Sequence, residues 1–296
     1  MTDAAKGVFA LTAACVIWGL SPLYYKLLSH VPPPELLAHR TFWSFVTFAG
    51  VLTAQGKLRR LPVALSGWRN FGLVAVAALM ISTNWFLFIV SIQIDHATEA
   101  SLGYYIFPLV SALLGVVFYG EPMGRGKAIA LSLATAAVLV LTVGLGVAPW
   151  ISLVLATTFG LYGLIKKRLT VGPITSVTSE VLLLLPLAAG WLLWLEMGQG
   201  GAFGRDMFTT LMLAFSGVLT ALPLILFSYA SQRCTMATVG LVQYLNPTLQ
   251  FLCAVLVFGE PFGPYHAMAF GLIWTALAIY SADMLRKDLA RRKLAA

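Results

Sequence analysis

Charge is what this sequence has least of. Only 10% of its 296 residues are Asp, Glu, Lys or Arg, against 59% apolar, where a soluble domain carries roughly 25% charge. So little charge cannot cover a water-facing surface, which excludes an ordinary soluble globule and makes lipid the solvent. Cysteine and histidine are scarce as well. The three cysteines, Cys15, Cys234 and Cys253, sit singly inside apolar stretches and read as small packing residues without a disulfide or metal role. The four histidines show no metal-ligand spacing. A phosphate-cradling Gly-rich loop with its Lys is missing, and so is a nucleophile elbow. ATP-driven pumping by this chain alone is therefore not expected, nor is a metal, a cofactor or enzymatic activity. The formal net charge of +8 invites a nucleic-acid reading. The basic residues, however, form short clusters between apolar runs rather than one aromatic-interleaved patch, so nucleic acid is not an expected partner.

What is present is a succession of apolar runs at about 7–28, 35–55, 70–92, 98–119, 126–146, 148–166, 177–195, 208–231, 236–258 and 265–284. Each is close to the roughly 20 residues that a helix needs to cross a bilayer, and a helix satisfies its own backbone hydrogen bonds there. Lys6, the apolar run behind it and Ala13-Ala14-Cys15 loosely mimic a cleavage site. The run continues through Trp18 to Leu28, too long for the core of a signal peptide, so the first segment is expected to stay and span. The weakest boundary is Gly144 to Trp150.

Lys and Arg orient these segments. With a cytoplasmic N-terminus, the inner pieces hold Lys6; Lys57, Arg59, Arg60, Arg69; Arg125, Lys127; Lys166, Lys167, Arg168; Arg233; and Arg286, Lys287, Arg291, Arg292, Lys293. The other side keeps Lys26, Arg40 and Arg205. The positive-inside rule thus predicts both termini in the cytoplasm and an even number of spans in an inner-membrane-type protein. Residues 285–296 form a basic tail, read as a topology signal rather than an anionic-lipid anchor.

An internal repeat divides the chain. EASLGYYIFPLVSALLGVVFYGEPMG (Glu99 to Gly124) matches TVGLVQYLNPTLQFLCAVLVFGEPFG (Thr238 to Gly263) at an offset of 139, pairing Tyr105 with Tyr244, Pro108 with Pro247, and Gly120-Glu121-Pro122 with Gly259-Glu260-Pro261. Gly19 and Lys26 echo in Gly160 and Lys167, and Glu35 in Glu180. The expected fold is an all-α membrane protein of ten transmembrane helices, built as two five-helix repeats over 7–146 and 148–284. Five is odd, so the copies point in opposite directions, the construction that lets transporters alternate around a midplane site.

The stretches WGLSPLYYKLL (from Trp18), VPPPELLAHRTFWSF (from Val31), NWFLFI (from Asn84), EASLGYYIFPL (from Glu99), LYGLIKK (from Leu161), TALPL (from Thr220) and VGLVQYLNPTLQFL (from Val239) together resemble RarD-type members of the EamA family, in the drug/metabolite transporter superfamily. They cover nearly the whole chain. The resemblance implies ten helices, cytoplasmic termini and a plasma-membrane permease, without naming a substrate. One departure is Phe107, where relatives usually carry Asn before the Pro; the second repeat has Asn246 there.

Candidate binding residues are the polar and aromatic groups inside the runs. Pro108 and Pro247 each free a backbone carbonyl and read as hinges lining a cavity, against the plainer reading of a packing kink. Tyr104, Tyr105, Gln243, Tyr244 and Asn246 offer hydroxyl and amide partners on an apolar wall, a mixture that suits amphipathic solutes. His39 and Arg40 lie a turn inside the second run, Glu35 and His39 sharing a helix face. A charge there needs a partner or a watery cavity; Glu99 is the candidate partner for Arg40, which otherwise binds a carboxylate or phosphate. His39 or Glu99 are candidates to take a coupling proton. Asn84, Trp85 and Trp18 read equally as cavity wall or interhelical packing. The leading function is a secondary transporter exporting small amphipathic metabolites or drugs, with the bilayer and a small-molecule substrate as partners. The sequence leaves oligomeric state open, a monomer being sufficient to enclose a cavity. A membrane enzyme on lipid-linked substrates, using Glu35, His39, Arg40, Asp95, His96 and Glu99, and a non-transporting scaffold remain as alternatives.

Overall fold

The computed structural model describes residues 2–169, 171–198 and 200–295; side chains 287–296, most of the expected basic tail, lie outside the described residues. Every regular element among them is helical: α1 (Asp3–Leu27), α2 (Pro33–Ala54), α3 (Arg60–Ala64), α4 (Trp68–Gln93), α5 (Ala97–Tyr119), α6 (Arg125–Leu145), α7 (Trp150–Lys166), α8 (Pro173–Met197), α9 (Met207–Ser231), α10 (Met236–Gln243), α11 (Leu245–Leu252), a π-turn (Cys253–Val257) and α12 (Pro264–Ala295). Eight helical stretches among the described residues are long and apolar enough to cross a membrane, and Trp150–Lys166 is a shorter apolar helix. α2 is long enough, at 22 residues, but carries Glu35, His39 and Arg40 and falls outside those eight.

The helix ends follow local chemistry. Pro opens α2 and α8 in the first turn, where its missing N–H costs nothing. The side chains of Thr2, Asp206 and Thr235 cap α1, α9 and α10. Gly120 and Gly146 close α5 and α6 with positive φ. Segment nine departs from the expected continuous helix. It breaks at Tyr244, because the ring of Pro247 clashes with the carbonyl four residues back, that of Gln243, and α10 ends on that residue. Pro247 then occupies the first turn of α11. Pro108 leaves α5 unbroken.

The packing obeys an exchange. α1 packs on α9 and on α10–α11, while α7 packs on α4 and on α5; α2 lies against α8, α6 against α12, and α5 against α11. Each half therefore threads its first helix into the other half. Gly19 and Gly160 sit at these crossings. A Cβ on Gly19 would stand 2.6 Å from Leu249 Cβ and 3.0 Å from the Asn246 carbonyl, and one on Gly160 3.0 Å from Leu114 Cδ1. Helices approach this closely in lipid because small residues let backbones touch. Outside the bundle, Leu79, Val117, Val143, Leu187, Leu211 and Leu256 are exposed, a lipid-facing surface that water would not tolerate.

Hydrogen bonds collect five connections at one end. Lys26 pairs with Asp95, Gln93 donates to the carbonyls of Leu28 and Val31, Ala202 N–H donates to Glu35, and His30 meets Thr209. The Asp95 end is thus knitted shut above a cluster containing Tyr24, Tyr25, Leu28, Phe88, Ile92 and Leu155. The opposite end carries Lys166, Ser231 and the start of α10.

Candidate functional site

Between the halves lies a cavity of about 510 Å³, within the range for small-molecule sites. Its lining runs from buried Arg40 and Tyr25 to exposed Pro173 and half-exposed Ser231, Gly240 and Met284. It reaches the surface at the Lys166 end and takes no wall residue from the Asp95 end.

The wall is built twice from the same positions. α5 supplies Tyr104, Phe107, Pro108 and Ser111, the i, i+3, i+4, i+7 face of a helix. Segment nine supplies Gln243, Asn246, Pro247 and Gln250, each 139 residues later. α1 and α7 repeat the pattern at an offset of 141: Trp18, Ser21 and Tyr25 against Phe159, Tyr162 and Lys166.

Two charged sites face this space. Arg40 is 7% exposed. Its Nε donates to Thr220 Oγ1 at 3.1 Å, and its guanidinium lies 4.2 Å from the Trp85 ring centroid and 5.6 Å from that of Tyr25. In the second half, Lys166 donates to Glu180 Oε1 at 2.6 Å, Tyr162 donates to Glu180 Oε2 at 3.0 Å, and Ser176 also donates to Glu180, whose side chain is 0% exposed. Glu180 lies on the helix equivalent to α2; with Pro33 and Pro173 opening the two helices, its counterpart is Arg40, 140 residues earlier, and not Glu35 as the sequence pairing had it. Between these sites Asn84 donates to the Leu155 carbonyl and Thr158 at 2.9 and 3.1 Å and accepts from Tyr104 at 2.9 Å. That leaves no idle amide hydrogen-bonding face in lipid.

Of the sequence-expected residues, Trp18, Arg40, Asn84, Trp85, Tyr104, Gln243, Tyr244, Asn246, Pro108 and Pro247 line the cavity. His39, Glu99 and Tyr105 do not. His39 points toward the Asp95 end, stacked on Phe203 at 5.1 Å between centroids, with Glu35 Oε1 4.0 Å from its Nε2. Glu99 is not the partner of Arg40: it bonds His96 Nδ1 at 2.6 Å, because its face of α5 turns to a separate pocket with Trp150 and His266. Tyr105 lies one position round the helix from Tyr104, packed against Phe270 and Trp274, with its hydroxyl 2.7 Å from Thr248 Oγ1. Sequence reasoning did not name Phe159, Tyr162, Lys166, Glu180 or Thr220 as site residues. The 141-residue offset from Trp18, Ser21 and Tyr25 carries the signal for Phe159, Tyr162 and Lys166; Lys166 was hidden by its value as a topology charge.

The two Gly-Glu-Pro turns share a backbone. Gly120 and Gly259 have φ of 63° and 68°, and the Glu121 and Glu260 amides return to the carbonyls of Gly115 and Ala254 at 3.3 and 3.0 Å. Their side chains part company. Glu260, 7% exposed, accepts from the amides of Ala97 and Thr98 at 2.6 and 2.7 Å, holding the free N-terminus of α5 from the other half. Glu121, 40% exposed at its side chain, pairs with Lys127 at 2.9 Å. That hydrogen-bonded ammonium holds its carboxyl below the ordinary carboxylate range. The N-terminus of α10, the equivalent place, is served by its own Thr235.

The sequence matches the profile of the EamA-like transporter family over residues 5–143 and again over 148–282. A protein named RarD from Streptomyces exfoliatus is 43% identical over 94% of this chain and 88% of its own length. An uncharacterized transporter of Vibrio cholerae is 39% identical over 98% and 97%. The chloramphenicol-sensitive protein RarD of Pseudomonas aeruginosa is 33% identical over 98% and 99%. A solved crystal structure has a similar fold at a TM-score of 0.59 and 18% identity, covering 93% of this chain and 97% of that one.

Proposed function

This chain belongs to the EamA-like transporter family and is a membrane permease of RarD type, and on that premise we propose that it is a secondary exporter of small amphipathic metabolites or drugs working by alternating access. The observation carrying this reading is the cavity walled by the same four positions of the fourth segment in each half. A site shared evenly by two inverted repeats can be offered to either side by rocking one half against the other. Ten spans, repeats at 7–146 and 148–284, and cytoplasmic termini complete the proposal. The distribution of Lys and Arg supports this orientation, which makes the Lys166 end cytoplasmic and the described state inward-open. The binding residues are Trp18, Arg40, Asn84, Trp85, Tyr104, Gln243, Tyr244 and Asn246, with Pro108 and the break before Pro247 as the bending points. One chain encloses the cavity without a partner copy.

Reconstitution into proteoliposomes tests this. Loaded metabolites and drugs, chloramphenicol among them because of the relative so named, should exchange across the membrane faster than in empty liposomes. Flux should be lost in Asn246→Ala protein that still folds. No flux for any member of a broad panel, with and without a proton gradient, would contradict it.

A further inference from the structure

We infer that the solute of this cavity is an organic monoanion, a carboxylate on an aromatic body, seated with its carboxylate on Arg40. The inference deepens the transporter reading and rests on the same cavity.

Charge matching decides the class. The charged side chains that line the cavity, among the described residues, are Arg40 and Lys166; no Asp or Glu does. Lys166 is already matched by Glu180, so the space holds one uncompensated positive charge. No ion pair to Arg40 is formed by the described residues. A guanidinium 7% exposed without a counter-ion is expensive to hold in a bilayer. The repeat makes the omission pointed. Arg40 corresponds to Glu180 and Tyr25 to Lys166, so one half supplies its own counter-ion while the other sets a cation against a neutral phenol. A monoanion brings the cavity to neutrality. A phosphate dianion leaves one negative charge unmatched, and a cation meets repulsion.

Geometry narrows the class further. The Trp85 and Tyr25 rings lie against the guanidinium, Nε is taken by Thr220, and Arg40 also hydrogen-bonds the Tyr25 side chain, leaving the remaining terminal N–H groups as donors. Those charged N–H donors are what a carboxylate oxygen meets. Beyond them the wall is aromatic, with Trp18, Phe107, Phe159 and Phe227. These rings suit a flat apolar body.

Binding to the purified full chain, read by thermal shift and by tryptophan fluorescence, tests this with indole-3-acetate, benzoate and phenylpropionate. The controls are indole-3-acetamide, tryptamine and phenyl phosphate. The carboxylates should bind at least tenfold more tightly than any control, and Arg40→Gln should erase that preference. If Arg40→Gln fails to fold, the ligand series on the unaltered protein decides alone. Indole-3-acetamide binding as tightly as indole-3-acetate, or no carboxylate binding at millimolar concentration, overturns the inference. The same series run as proteoliposome flux separates the two readings. Carboxylate binding without flux sinks transport and leaves the anion site, whereas equal flux of amide and acid sinks the anion site and leaves transport.

Discussion

The two Gly-Glu-Pro turns have one sequence and one backbone, yet their glutamates do different things. Glu260 crosses to the other half and closes on the bare amides of α5; Glu121 stays over its own helix with Lys127. The turn at the knitted end is a tie between halves, and the turn at the cavity's mouth is not. The lesson is that the likeness of the two copies resides in the backbone and the motif, while the side-chain partners differ from copy to copy.

The largest expected effect comes from breaking the made contact. Glu260→Ala leaves two buried N–H groups at a helix N-terminus without an acceptor and should lower stability by roughly 2–3 kcal/mol, read by thermal denaturation in detergent. It should also raise labelling of a cysteine placed at residue 97. Unchanged labelling with lost stability would mean that the tie is only structural.

The next effect compares the crossings. Gly19→Ala forces a Cβ against Leu249 Cβ and the Asn246 backbone and should cost about 1–3 kcal/mol, the usual range for overpacking. At Gly160 the nearest atom is the end of the Leu114 side chain, which can turn away, so Gly160→Ala should cost less than about 1 kcal/mol. Equal costs would argue that the two crossings are equally tight.

The smallest effect is at the free turn. Glu121→Gln should change stability by less than about 0.5 kcal/mol, as exposed ion pairs do. The folded-state pKa of Glu121 lies below its ordinary value. Its pairing therefore stabilises above the unfolded carboxylate range and is lost as pH falls through the folded value. The difference in melting between the unaltered protein and Glu121→Gln should shrink on acidification; a difference growing toward low pH would reverse the sign.

Much of the fold was legible because lipid leaves few options. Runs of about 20 apolar residues must be helices, and their ends came within a few residues of Pro33, Trp68, Arg125 and Met207. The break at Tyr244 was less visible: Pro108 and Pro247 look alike in the repeat, and only the helix start at Leu245 made Pro247 a first-turn residue. Within the candidate site, Tyr104 and Tyr105 were indistinguishable as neighbours on a string. A rotation of 100° sends one to the cavity and the other to Phe270. Arg40 was legible as a charge in an apolar run, but not the fact that Glu99 lies on a face turned away from it. Lys166 and Glu180 were hidden because a lysine at a helix end also serves topology.

The most direct measurement is of the two ends during turnover. Spin labels on exposed Ile94 and Pro261 report the knitted end, and Arg233 and Pro122, their equivalents 139 residues apart, report the mouth. In proteoliposomes without solute, the first pair should give a short, narrow distance distribution. Saturating carboxylate or a proton gradient should lengthen it as the second pair shortens, the two changing in opposite directions. Distances that stay fixed at both ends while flux proceeds would contradict alternation between the halves.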